Sequence, residues 1–329
     1  MINQIKRFFN FNGLQQKDFF EEEIRSGKID SESDKYEILK KMLYINYEGK
    51  KEKFSDHFKD EDGDDVLYED NKYLDVAQSV YDTFGIDEYI ENLQIIADKH
   101  FDNAGTTMFN IVNDTLKITI SISSIKLGIV NHSEYRHQYT DENLKIFIDV
   151  FAHELFHAKN SVEIVKHYGI NEYKKIKECS IAKIAWFILD EYSACKATAE
   201  QYNSFISFED VVRNLNSPFF NLTNELKKTD VSKIKLEEIC VNLNYAIATR
   251  CAFADVSGDE KRHLQLDKLS ERQLSYVASV RKLLMDYNSQ RPLSYEKYEE
   301  LGVSIIRNIL TNLHGVENDN LDYQISKFT

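Results

Sequence analysis

The stretch that most constrains this chain is the apolar stripe leading into Phe151-Ala152-His153-Glu154-Leu155-Phe156-His157-Ala158. Leu144, Phe147, Ile148, Phe151 and Leu155 recur at helical spacing, which predicts a helix with one buried face. Thr140 stands ahead of it as an N-cap, followed by the acidic first-turn residues Asp141 and Glu142. On that helix His153 and His157 lie four residues apart, about 40° apart around the axis. Two imidazoles so placed can hold one metal ion. Glu154 falls about 100° round from His153, beside such an ion without having to ligate it. Zinc chemistry asks for this set: two neutral nitrogen ligands, an open position for water, and a carboxylate to take the water's proton. The competing reading is a buried helix whose histidines are hydrogen-bonded core residues. With nine histidines in 329 residues, a chance match to the pattern is uncommon.

A third protein ligand is expected on a second helix, because zinc sites with two histidines often take a carboxylate from elsewhere. The candidate is Glu191, in Ile188-Leu189-Asp190-Glu191-Tyr192-Ser193-Ala194. Residues 158 to 190 allow the first helix to end, the chain to turn near Gly169, and a helix over 171–202 to return antiparallel. Glu191 shares one side of that helix with Ile184, Phe187, Ile188, Ala194, Cys195 and Thr198. A carboxylate on an apolar face is costly unless paired or metal-bound. A buried ion pair is the alternative use of Glu191, and Asp190 and Glu200 are the other candidates for ligation.

His153-Glu154-x-x-His157 followed by a helical Asp190-Glu191-Tyr192-x-Ala194 resembles the gluzincin group of zinc metallopeptidases over residues 115 to 202. The Glu-x-x-Ala helix also resembles the ImmA/IrrE-like peptidases of bacterial mobile elements. The resemblance implies a zincin-like core, Zn2+ held by His153, His157 and Glu191, Glu154 as general base, and a peptide or protein substrate. It also implies an edge strand that borders the cleft and pairs with an extended substrate. Position 195, four after Glu191, holds Cys where the thermolysin-like branch carries Asp. The carboxylate that would orient a histidine from there is absent, and Asp149, one turn before His153, is the substitute we expect.

Composition narrows the class. A net charge of −14 argues against general nucleic-acid binding, which needs a basic field. Two prolines and eleven glycines imply long helices, so we expect a mainly α protein with a small β-sheet. The four cysteines, Cys179, Cys195, Cys240 and Cys251, show no Cys-x-x-Cys spacing, which makes a thiolate zinc site unexpected. Their small number fits a reducing compartment. No signal peptide opens the chain and no run of about 18 apolar residues spans a membrane, so a cytoplasmic location is expected.

Three regions follow: a helical and charged part over 1–100, the metal-binding core over 101–205, and a helical part over 206–329 completing the cleft. In the first, Ile5, Phe8, Phe9 and Phe11 give a small apolar face, residues 49 to 71 are dense in charge and read as a solvated loop, and within them Asp60-Glu61-Asp62-Gly63 imitates a calcium loop with two misfitting positions. The spacing of Leu74, Val76, Val80, Phe84, Ile90, Leu93 and Ile96 predicts a helix over 72–101. Leu116 to Ile122 alternates as a strand, with a second short strand over 126–130. Helices are predicted over 235–253, 270–287 and 295–313. Stabilising the oxyanion needs a further donor. Tyr276 and His263 are the leading candidates, with Tyr245 and Arg272 beside them. The alternative function is a non-catalytic, zinc-stabilised interaction or sensor module, a degenerate peptidase closed by a fourth ligand such as His132 or His137.

Overall fold

A computed structural model describes residues 43–47, 50–53, 80–96, 104–123, 141–202, 219, 224, 233–264, 269–313, 315 and 325. The chain divides into two compact units, Met1–Lys159 and Asn160–Thr329. The division falls inside one 28-residue helix, α1 (Asp141–Tyr168). The protein is mainly helical with one small sheet. The N-terminal apolar face, the calcium-loop imitation, the strand at 126–130, the cap at Thr140, and His132 and His137 all lie outside the described residues.

The first unit holds the sheet, made of β1 (Leu43–Tyr47), β2 (Lys50–Lys53), β3 (Ile90–Ile96), β4 (Gly105–Val112) and β5 (Thr115–Ser123). Its order is β2-β1-β3-β5-β4. β1, β3 and β5 run parallel, while β2 and β4 join as antiparallel outer strands. The expected strand is β5, and its Leu116, Ile118, Ile120 and Ile122 are at most 2% exposed. β4 and β5 form a hairpin closed by Asn113 and Asp114, with φ of 50° and 59°. Positive φ at both turn residues gives the twist that matches paired strands, and Asn and Asp tolerate it. Along β4 the exposed residues are Met108, Asn110 and Val112, while Gly105, Thr107, Phe109 and Ile111 face inward.

Two expectations fail in this unit. Ile90 to Ile96 is a strand and not part of a helix. The reason lies in its register: Ile90 pairs with Ile118 and Asn92 with Thr119, an irregularity that sets two steps of β3 against one of β5. Such a bulge lets residues three apart share a face, so Ile90 and Leu93 are both buried and mimic helical spacing. Lys50–Lys53, expected in a solvated loop, forms β2.

The second unit is helical: α2 (Ile170–Glu178), α3 (Ser180–Tyr202), α4 (Lys233–Ser257), α5 (Glu260–Leu264), α6 (Glu271–Asn288), α7 (Tyr295–Asn308) and a π-helical turn, Ile309–Leu313. Gly169 at φ 87° separates α1 from α2, at the expected turn. The predicted helix over 171–202 is two helices, broken where Cys179 is extended at φ −81°, ψ 117°. α3 is the core of this unit and packs against α4 and α7. Ile181, Ala182, Ile184, Ala185, Trp186, Ile188, Leu189 and Tyr192 along it are all buried, as expected of a helix that is apolar nearly all round. Ser270 and Gln273 cap α6 reciprocally.

α7 approaches α3 through Gly302, where an added Cβ would sit 2.3 Å from the carbonyl oxygen of Ile181. Backbone cannot yield as a flexible side chain can. Gly302→Ala is therefore expected to destabilise the protein by about 1–3 kcal/mol, read as a lower urea midpoint. At an uncrowded helical site the same change would stabilise by about 1 kcal/mol, so the sign of the shift decides.

Candidate metal centre

α1 carries His153, Glu154 and His157, and the apolar residues around them bury it there. Ile148, Phe151, Ala152 and Leu155 are at most 3% exposed, and Phe156 meets Phe84 edge-on at 4.9 Å between ring centres. The two histidine rings stand at 89° with centroids 4.5 Å apart. Their Nε2 atoms face each other at 2.9 Å. The helical spacing has thus brought two ring nitrogens to one point, within the span of a shared ligand. His153 is 2% exposed and Asp149, one turn earlier, 1%.

Glu154 is 7% exposed and is held by β4. The Thr107 hydroxyl donates to Glu154 Oε2 at 2.6 Å and also lies 3.0 Å from the Glu154 carbonyl oxygen. Gly105 passes so close that a Cβ there would come within 2.8 Å of Glu154 Cγ, Glu154 Oε1 and Val150 Cγ1.

On α3, Glu191 is fully buried. Its Oε1 accepts from the Thr249 hydroxyl of α4 at 3.0 Å and from the Cys195 thiol one turn on at 3.1 Å. The same hydroxyl also lies 3.1 Å from the Tyr245 carbonyl oxygen. Ligand atoms of His153, Glu191 and Cys195 lie within 4.8 Å of one another, and all three residues are buried. This group could hold a metal ion.

The other expected carboxylates are used elsewhere. Asp190 accepts from Asn160 Nδ2 at 2.6 Å and pairs with Arg291 at 3.7 Å. This braces the C-terminal part of α1 against α3 and the turn after α6. Glu200 is exposed beside Lys196. Of the oxyanion candidates, Tyr276 is fully buried and donates to Asn244 Oδ1 at 2.6 Å. Burial pushes its phenol well above the usual range. His263 is 5% exposed, edge-on to Phe253 at 5.8 Å, and its carbonyl accepts from Arg250 at 2.9 Å. Both side chains sit in the interior of the helical unit. Arg272 and Tyr245 are exposed.

Cys195, Thr249, Thr107 and Gly105 were not singled out for this site from the sequence. Cys195 could have been, since it lies one helical turn after Glu191. The spacing rule for thiolate sites looks for paired cysteines, and a mixed site with one thiol escapes it. Thr249 and Thr107 are 58 and 47 residues from the glutamates they bind and leave no local signal.

No protein-family model, curated protein or solved structure matches the chain.

Proposed function

We propose that the protein is a zinc-dependent metallopeptidase with a zincin-like core, in which His153, His157 and Glu191 hold the ion and Glu154 is the general base. The observation that carries this reading is the convergence of His153 with Glu191 and Cys195, together with the 2.9 Å approach of His157 to His153. A bound zinc supplies a water of lowered pKa and polarises the scissile carbonyl. Glu154 would take a proton from the attacking water as the water oxygen bonds to the carbonyl carbon and the carbonyl π pair moves onto its oxygen. It would then deliver that proton to the nitrogen as the carbon–nitrogen bond breaks and the carbonyl re-forms. β4 is the terminal strand of the sheet and pairs on one side only among the described strands. It touches the base directly through Thr107. An extended peptide added along such an edge would present its backbone beside Glu154.

Cys195 supports a second reading. A thiolate there would close the ion with a fourth protein ligand, and closed sites are structural. The two uses of Cys195 exclude each other, because a thiol that donates to Glu191 is protonated and a ligating thiolate has no proton to give. One experiment separates them: titration of the metal-free chain with Co2+, read by absorption and followed by a peptide-cleavage screen. One equivalent bound, no thiolate-to-cobalt charge-transfer band, and cleavage that a chelator abolishes is the expected result. One equivalent with an intense near-ultraviolet band and no cleavage would favour the closed module. No binding would sink both readings.

A further inference from the structure

The geometry points to Thr107 as the residue that positions the base, an inference that rests on the peptidase reading of Glu154. Positions 105 and 107 lie two apart on β4 and so face the same side of the sheet. Both meet the same side chain on α1. Thr107 Oγ1 donates to Glu154 Oε2 at 2.6 Å. At position 105 there is no side chain, and one would collide with Glu154 Cγ and Oε1 at 2.8 Å. The strand therefore treats the two carboxylate oxygens differently. Oε2 is engaged by a hydroxyl, and Oε1 lies in the space that glycine leaves open. Oε1 is the oxygen left to accept a proton.

This matters because Glu154 is a flexible side chain on a helix. Without a partner it would sample several rotamers, each with an entropy cost to ordering. The hydroxyl fixes one of them before substrate arrives, and its position is fixed in turn by the hairpin pairing of Thr107 with Ile120. The inward side chains of β4 thereby hold the base while its exposed side chains, Met108, Asn110 and Val112, remain turned away from it. The Thr107 hydroxyl is engaged by Glu154 Oε2. It acts through Glu154, and its loss should lower turnover while leaving substrate binding and metal content intact.

The test uses the zinc-loaded full chain and compares Thr107→Val, Thr107→Ser and Glu154→Gln. Valine keeps the shape and removes the donor, and serine restores the donor. The expected result is a fall in kcat of about 10- to 100-fold for Thr107→Val, the scale set by small misplacements of a catalytic group. KM and zinc per chain should be unchanged, and Thr107→Ser should recover most of the rate. A crystal structure of Thr107→Val should show Glu154 displaced or in more than one rotamer. Wild-type turnover in Thr107→Val, with Glu154→Gln inactive, would overturn the positioning role and leave the base assignment standing. If no peptide is cleaved by any form, the crystal structure decides alone: Glu154 in its single original rotamer overturns the inference, and a disordered or shifted carboxylate supports it.

Discussion

Glu154→Gln is expected to cut kcat/KM for peptide cleavage by about 10²- to 10⁴-fold, the range for removing a positioned general base, while zinc per chain stays at the wild-type value. The substitution suits the site. Glu154 sits where even a Cβ at Gly105 would come within 2.8 Å of its Cγ and Oε1, and glutamine matches glutamate in shape. The amide oxygen can still accept from the Thr107 hydroxyl, which now donates to Oε2 at 2.6 Å. Folding and metal retention should therefore survive. What disappears is an oxygen able to take a proton. Mass spectrometry of bound metal and progress curves on one cleaved peptide make the measurement. Undiminished cleavage would refute the base assignment. Loss of metal together with activity would show that Glu154 helps to build the site and does not act only on the water.

How far the site could be read in the sequence follows from distance along the chain. The helix bearing His153 and His157 was legible because its apolar stripe and its two imidazoles share one local period. Glu191 was legible because an isolated carboxylate on an apolar helix face needs a partner. β5 was legible from its strict alternation. β4 was not, because Met108 and Val112 are apolar yet exposed, at 46% and 49%, which blurs the alternation that marks a half-buried strand. Its turn residues Asn113 and Asp114 were the available signal. β3 was misread because a register irregularity at Ile90 and Asn92 makes a strand imitate helical spacing. The hydroxyls of Thr107 and Thr249 are set by tertiary packing alone, and no window of sequence contains both members of either pair.

Arg281→Ala should destabilise the helical unit by about 3 kcal/mol, the scale for stranding one charge of a buried pair. Arg281 of α6 donates Nε to Asp255 Oδ1 at 2.7 Å and places Nη2 2.6 Å from the same oxygen. The Asp255 side chain is 4% exposed. Its other oxygen accepts from the Tyr192 hydroxyl. Burial first, and then the hydrogen bond and charge of Asp255, push the Tyr192 phenol far above its usual range, so it stays a donor. The network thus ties α3, α4 and α6 together at the residue after Glu191. Alanine at 281 would leave the Asp255 carboxylate with Tyr192 as its one remaining partner among these, in a place water reaches poorly. We take the lower end of the range for such losses because Arg281 itself is 21% exposed and water can partly enter where it leaves. Urea denaturation should show a lower midpoint at unchanged slope. Lys297→Ala supplies the contrast: its pair with Glu300 spans 2.7 Å, but both side chains are about half exposed, at 49% and 55%. Solvent screens such a pair, and its removal should leave the midpoint where it is. Equal shifts in the two variants would mean that the buried network contributes no more than surface charge, and that α3 is held by its apolar faces alone.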